Sequence, residues 1–330
     1  MNYKSYGDLA DDIKKNLYKL NQYNIDLVVG IPRSGMIPAY MISLLLNVHC
    51  TDFYSFIENR PLYKGKRKLR NNGEEEILPH NHNNILLVDD SIYTGRDMRQ
   101  KKELIPDRIK NKIITLAIYS SEKKRDDIDC YFVFVHNIKL MEWNIFHAQT
   151  LSMCCMDIDG VLCKVPTGME DDDGENYINF IKNADPYILP SYNIHSLVTN
   201  RLEKYRSETE MWLKKHGITY DNLIMLNLPS KEDRQKLKIR GRYKAAYFKN
   251  SNTRIFIESS LSEAKEICKL SGKDVYCMET NSVVTANAIS ILKHKPTRLK
   301  KYIPISFKVF IRQKLKMLNI HKKSSKVIGG

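Results

Sequence analysis

Residues 85–98 read ILLVDDSIYTGRDM. Ile85, Leu86, Leu87 and Val88 form a continuous apolar run, which predicts a strand buried on both faces, as in a parallel sheet under helices. Asp89 and Asp90 stand where that strand should end. The polar turn SIYTGRD follows with Gly95 as its pivot, and a helix is predicted from about Asp97. In an open α/β sheet, ligands sit beyond the carboxyl ends of the strands. A turn that feeds a helix N-terminus offers backbone N–H groups and a positive dipole end, which suits a phosphate. Paired carboxylates beside it suit sugar hydroxyls or a Mg2+ ion.

The order of apolar strand, Asp89–Asp90 and Thr94–Gly95 resembles the PRPP-binding signature of the type I phosphoribosyltransferases. The resemblance implies that Asp89 and Asp90 hold the ribose hydroxyls and that Tyr93, Thr94 and Gly95 cradle the 5-phosphate. One position departs from the pattern. Asp97 stands where the family has Thr or Ser, and a carboxylate there would repel a phosphate. Either it turns outward to cap the helix, or the site is tuned differently.

Upstream, Leu9, Ile13, Leu17 and Leu20 recur at helical spacing, which predicts an amphipathic helix over 7–22. Ile25 to Val29 predicts a second buried strand, and Gly30 to Gly35 a turn into an apolar helix. By the same resemblance this turn is a pyrophosphate-binding loop, with Arg33, Ser34 and Gly35 on the ligand. An Arg fork beside backbone amides matches a pyrophosphate. Residues 58–84 are polar and read as a loop. The resemblance makes Lys64, Lys66, Arg67 and Lys68 candidates to shield the departing pyrophosphate. His80 and His82 lack a third neighbouring ligand and stay loop residues. A helix from Arg96 to about Leu104 and strands at Ile113–Tyr119 and Tyr131–Val135 complete the alternation. Glu142–Trp143 resembles the hood that selects the nucleophile in the family, although Trp143 reads equally as a core residue closing the domain.

At Met153 the chain restarts with MCCMDIDGVLCK. A short apolar strand ending in DIDGVL resembles the first motif of the haloacid dehalogenase (HAD) superfamily. The resemblance implies Asp157 as the nucleophile that takes a phosphoryl group and Asp159 as its acid and base. It implies Mg2+ as cofactor, held by Asp157, Asp159 and Glu258, with Glu263 as a further candidate. Thr199, in SLVTNR, matches the second motif. Lys244 is the candidate for the third, with Lys249 as its alternative. Arg201 and Arg206 are candidates to reach a substrate phosphate, although YRSETEMWLKKHG reads mostly as a helix surface. The usual Asp pair of the fourth motif is replaced by glutamate. The segment between the first two motifs, Lys164 to Tyr192, has under thirty residues, which leaves room for a minimal cap only. Asp171 to Asp173 in that segment read as a solvated loop.

The chain has 330 residues, 42% of them hydrophobic, and a net charge of +15. No Asp or Glu follows Glu279, and residues 281–330 hold 12 Lys or Arg, so the other 280 residues carry only +3. The basicity belongs to a tail, which argues against a nucleic-acid-binding body. Within it, Phe307, Phe310, Ile311, Leu315 and Leu318 fall on one helical face, opposite Lys308, Arg312 and Lys316. A basic amphipathic helix with aromatic anchors predicts a membrane-surface element across 300–320; a helix packed on the body and an RNA-binding tail are its alternatives. Seven cysteines without regular spacing predict reduced thiols and a cytoplasmic protein, with Cys154 and Cys155 in the core. No apolar run reaches the roughly 18 residues of a spanning helix, and the N-terminus lacks a secretory signal.

The expected fold is α/β, with two doubly wound parallel-sheet domains and a basic amphipathic C-terminal helix. A phosphoribosyltransferase-like domain is expected at 1–150, a HAD-like phosphatase at 151–290 and the tail at 291–330. A base acceptor would make a nucleotide that the second domain destroys. The pairing therefore points to ribofuranose 5-phosphate transfer from PRPP to a glycan acceptor, lipid-linked, followed by removal of the 5-phosphate at the inner face of the membrane. This resembles the ribofuranosyltransferase–phosphatase systems of bacterial surface polysaccharide synthesis. Nucleobase salvage of an orotate-like kind with a nucleotidase, and non-catalytic PRPP sensing, are the alternative functions.

Overall fold

The computed structural model describes residues 2–63, 77–136, 139–237 and 239–286. The expectations for Lys64, Lys66, Arg67, Lys68 and the tail from residue 291 onward lie outside these residues. The first half runs β1 (Asn2–Lys4), α1 (Tyr6–Asn16), β2 (Leu27–Gly30), α2 (Met36–Leu46), β3 (His49–Asp52), α3 (Phe53–Ile57), β4 (Ile85–Ile92), α4 (Arg96–Leu104), α5 (Asp107–Lys110), β5 (Ile113–Ser120), β6 (Cys130–Phe134) and β7 (Lys139–Met141). Ser5 opens α1 with a reciprocal capping box to Asp8. The helix ends at Asn16, and a 3-10 turn over Leu17–Tyr23 carries its apolar spacing on, so the helix predicted over 7–22 is shorter than expected. The element β3–α3 was not anticipated. Its strand reads HCTD, too short and polar for an apolar-run signal, and Asp52 then caps α3 by accepting from the N–H groups of Tyr54 and Ser55.

The sheet order is β3-β2-β4-β5-β6, all parallel. Alternation across these strands fills both faces. Val28, Leu86, Val88, Leu116 and Ile118 pack under α1 and α2. Leu27, Val29, Ile85, Leu87 and Ala117 pack with Phe53, Phe56 and Met98 on the opposite side. The chain leaves β2 toward β3 and leaves β4 toward β5, in opposite directions along the sheet. The point where the order reverses thus lies between the ends of β2 and β4.

The second half repeats this plan. It runs β8 (Cys154–Met156), α6 (Glu175–Asn183), β9 (Ile194–Leu202), α7 (Arg206–Lys215), β10 (Tyr220–Leu226), α8 (Lys231–Leu237), α9 (Arg240–Asn250), β11 (Ile255–Glu258), α10 (Leu261–Ser271), β12 (Asp274–Cys277) and β13 (Ser282–Val284). The order β10-β9-β8-β11-β12-β13 is parallel except for the antiparallel edge strand β13. Its reversal lies between β8 and β11. Cys154, Met156, Leu197, Ile255 and Ile257 line one face, and Cys155, Val198, Phe256 and Val275 the other. Cys154 and Cys155 are core residues as expected, and all seven cysteines are free thiols.

The linking segment belongs to both halves. β7 pairs with β1, while Leu140, Ile145, Phe146 and Leu151 are buried with the second sheet's core. Tyr3 Oη donates to Asn281 Oδ1 at 2.6 Å, and the Tyr3 ring lies 5.4 Å from that of Tyr276. Among the described residues no helix is long and apolar enough to cross a membrane.

Candidate functional site

The first site forms where the sheet order reverses, between the loops after β2 and β4. Gly35 makes the approach possible. A Cβ there would lie 2.6 Å from Ile31 O, 2.7 Å from Val88 O and 3.1 Å from Asp89 Cα, so only glycine lets the Arg33–Gly35 loop rest on β4 beside the acid pair. The Pro32–Arg33 peptide is cis.

Strand β4 continues to Ile92, so Asp89 and Asp90 are strand residues and the loop shrinks to Tyr93–Gly95. The register with β5 persists to Ile92↔Ser120, which holds the polar residues in the ladder. Gly95 adopts φ 73° and begins α4. A Cβ on it would meet Asp127 Oδ2 at 1.8 Å. Asp127 in turn anchors Arg125 at 2.6 and 2.7 Å and Arg99 at 3.3 Å. These arginines donate to the loop carbonyls, Arg125 to Tyr93 O and Arg99 to Thr94 O, both at 3.0 Å. With the carbonyls pulled back, the loop can turn its N–H groups toward an anion. Tyr93 is 73% exposed. Asp97 is exposed in the first turn of α4 and caps nothing, because Gly95 is the N-cap.

The two acids differ. Asp90 is buried and its Oδ2 accepts from Trp143 Nε1 at 2.6 Å. Asp89 Oδ1 accepts from the Asp90 N–H at 2.9 Å. Burial, and then the neighbouring Asp90 charge, push the Asp89 carboxyl well above the usual carboxylate range, with Asp97 adding to it. Asn144 Oδ1 accepts from Arg33 at 2.5 Å. The turn Glu142–Asn144 therefore touches both the first loop and the acid pair. Trp143 serves both readings: its indole N–H reaches Asp90, and its ring packs against the core under α1 and α2. Asn144, Arg99, Arg125 and Asp127 were missed, since nothing in sequence spacing links them to β4. His80 is a pin, not a ligand: its Nε2 meets Phe56 O at 2.8 Å and its Nδ1 meets Arg108 at 2.9 Å.

The phosphoribosyl transferase domain family model matches residues 2–152. A xanthine-guanine phosphoribosyltransferase from Chromohalobacter salexigens is 26% identical over 131 residues, which cover 40% of this chain and 75% of the relative. Two solved structures are similar over the same half. A purine phosphoribosyltransferase from Pyrococcus horikoshii shares 18% identity, with 43% of this chain and 92% of that one covered and a TM-score of 0.30. A xanthine-guanine-hypoxanthine phosphoribosyltransferase from Helicobacter pylori shares 14%, with 44% and 92% covered and a TM-score of 0.33. The parallel sheet, with the loops after β2 and β4 meeting at its reversal, defines an open α/β domain. Residues 2–152 are, more particularly, a type I phosphoribosyltransferase domain.

The second site lies at the other reversal, between β8 and β11. The Asp157 N–H donates to Ile257 O at 3.0 Å, which fixes the residue after β8 against β11. Lys244, from α9, is 1% exposed and reaches Asp157 Oδ2 at 2.6 Å, Glu258 Oε2 at 2.8 Å and Glu263 Oε2 at 2.9 Å. Lys249 is exposed, so Lys244 is the lysine of this centre. Thr199 is wholly buried within β9 and accepts from the Arg201 N–H at 3.2 Å. It sits inside the strand rather than at its end. Gly160, at φ 80°, lets the chain after Asp159 pass Ser259, whose Cβ would lie 2.6 Å from an added methyl.

Two expectations need correction. Arg201, a candidate to reach a substrate phosphate, is fully buried in β9 and forks onto Asp159 with Nη2 at 2.7 Å and Nε at 3.1 and 3.2 Å. Arg206 serves its helix end, on Glu203, Glu210 and Leu223 O. Nor do Asp157, Asp159 and Glu258 make a Mg2+ site as they stand. Among the described residues no group of three or more His, Cys, Asp or Glu side chains is arranged to hold a metal. Arg201 takes both oxygens of Asp159. Glu258 gives Oε2 to Lys244 and Oε1 to the Ser259 and Ser260 N–H groups at 2.9 and 3.3 Å. Four carboxylates share two cations here. Burial pushes the Asp157 carboxyl well above its ordinary range against the pull of Lys244, with Glu258, Asp159 and Glu263 adding to the rise.

Asp171 to Asp173 lie in a loop, as expected, with Asp172 exposed, but all three carboxylates have partners. Asp171 pairs with Lys231 at 3.1 Å, Asp172 caps α6, and Asp173 accepts from Tyr205 Oη at 2.8 Å and the Lys231 N–H at 3.0 Å. They tie the segment before α6 over a cavity of about 390 Å3 with Asp157, Asp159 and Glu263 in its wall.

Proposed function

We propose that the chain transfers ribofuranose 5-phosphate from PRPP to a glycan hydroxyl and then removes the 5-phosphate. The observation that carries this reading is the presence of two carboxylate sites, one at each sheet reversal, in a single chain. The first is in a phosphoribosyltransferase domain. In the second, Asp157 and Lys244 lie 2.6 Å apart beside a cavity. The roles of Arg33, Ser34, Gly35, Asp89, Asp90, Tyr93, Thr94 and Gly95 on PRPP, and of Asp157, Asp159, Thr199 and Lys244 on a phosphate ester, are part of the proposal. Asp157 attacks phosphorus as the ester P–O bond breaks, Asp159 gives the leaving oxygen its proton, and water that then loses a proton to Asp159 hydrolyses the aspartyl phosphate to phosphate and free Asp157. Lys244 offsets the charge that gathers on the phosphoryl oxygens. A lipid-linked acceptor would bring the basic tail to the inner membrane surface.

A wall favouring a polyol borders this cavity, where Asn176, Asn179 and Asn183 of α6 line a groove of about 760 Å3. Nucleobase salvage is the second reading, and the purine names of the relatives favour it. The test is trapping. Asp157→Asn, given PRPP and a lipid-linked glycan, should accumulate a phosphorylated ribosyl-glycan. Consumption of PRPP only with a free purine would establish the second reading instead. No PRPP consumption with either acceptor would leave a PRPP sensor.

A further inference from the structure

We propose that Arg234 and Arg240 form a recognition site for a second anionic group, a phosphate or carboxylate, on the substrate of the second site. The inference rests on the phosphatase reading. The cavity above Asp157 has walls of opposite charge: acidic at Asp157, Asp159 and Glu263, basic at Arg234 and Arg240. The inner acids already have their own enclosed cations, Lys244 and Arg201. The two outer arginines also line a second groove of about 390 Å3, shared with Ser262 and Glu266. They therefore stand at the passage between the inner cavity and the outer groove, beyond the point where a reacting phosphate meets Asp157.

Arg234 is only 7% exposed, and its bonding is incomplete. Its Nη1 donates to Asn200 O at 2.9 Å, its Nη2 lies 3.5 Å from Asp171, and its Nε–H is buried with no partner. A buried guanidinium N–H without an acceptor is costly, and an anion in the cavity would supply one. Arg240 is exposed in the first turn of α9, where Ile239 provides no side-chain cap. The uncapped N–H groups of this eleven-residue helix add their dipole to the guanidinium. Arg240 has no carboxylate partner among the described residues. A fork and a helix end converging at one opening match an anion on the part of the substrate that stays behind.

The probes are ribose 5-phosphate and ribose 1,5-bisphosphate, in full-length protein carrying Asp89→Asn so that the first site does not compete. Phosphate release and calorimetric binding are measured for the parent, Arg240→Gln and Arg234→Lys. The bisphosphate should bind at least about tenfold tighter than the monophosphate, and each variant should erase that preference while changing the monophosphate less than about twofold. Equal losses for both probes would assign the arginines to the reacting phosphate and overturn the proposal. No loss for either would make them a solvated surface. If neither ester is hydrolysed, the phosphatase reading fails, and the binding preference alone still decides the second-anion site.

Discussion

Gly95 and Asp89 carry the sharpest consequences of single residues. Gly95 combines φ 73° with a Cβ position already filled by Asp127. Gly95→Ala must shift either the loop or the Asp127–Arg125 pair that holds it. We expect a loss of roughly 1–3 kcal/mol of stability, read by denaturant unfolding, and at least a tenfold weaker PRPP affinity. Wild-type PRPP binding in this variant would mean that the loop does not hold the 5-phosphate. Asp89 makes a pH prediction. Its folded carboxyl titrates above its unfolded value because burial and Asp90 disfavour the charge. The protonated form therefore stabilises the fold, and stability falls as pH rises from the unfolded value through the raised folded one. Asp89→Asn, which keeps an oxygen for the Asp90 N–H, should melt higher than the parent at pH 7, with the gap closing toward pH 4. PRPP affinity, which needs the charged acceptor, should rise across the same interval. A parent that melts higher at pH 7 would refute this account.

Elements explain what could be read in advance. Apolar strands β2, β4, β5 and β8 were legible because a parallel sheet covered on both faces favours near-continuous apolar runs, whether of Val, Leu and Ile or of Cys and Met. Strand β3 was not, since an edge strand of four residues ending in a helix cap has no such run. The loops after β2 and β4 were legible through Gly35 and Gly95, where only glycine fits. Their supports, Arg99, Arg125, Asn144 and Trp143, come from later elements brought in by the fold. The second site follows the same rule: Asp157 and Lys244 were found, but the burial of Arg201 against Asp159 depends on α7 packing that spacing does not encode. The pairing within the acidic loop before α6 was not legible, because a charge run looks the same free or paired. Its pairing can be tested through Asp173. Burial pushes that carboxyl up, but bonds from the Lys231 N–H, Lys204 and Tyr205 prevail and hold it below its ordinary value. The stability it adds is full above the unfolded value near 4 and is lost as pH falls through the lower folded one. Asp173→Ala should slow phosphate-ester cleavage several-fold and leave PRPP binding unchanged. Equal damage to both activities would mean that this tie supports the whole chain.

At the scale of the molecule, two sheets with the same reversal are joined by a segment that serves both. β7 pairs with β1, Trp143 reaches Asp90, and Ile145 and Phe146 lie in the second core. A second seam is small and polar: Asn281 Oδ1 accepts from Tyr3 Oη and from Tyr276 Oη, each at 2.6 Å. Asn281 does this from φ 47°, a left-handed turn that Asn tolerates and Ala does not. The two contributions separate by substitution. Asn281→Gly keeps the turn and removes the acceptor that the Tyr3 and Tyr276 hydroxyls share, at a cost of about 1 kcal/mol. Asn281→Ala removes the acceptor and adds backbone strain, a further 1 kcal/mol or so. Calorimetric melting should therefore rank the parent above Gly and Gly above Ala. If the seam couples the halves, each variant should also lower the temperature at which PRPP protection of the first half is lost. A fall confined to the second half's transition would mean that residues 142–146 alone join the two.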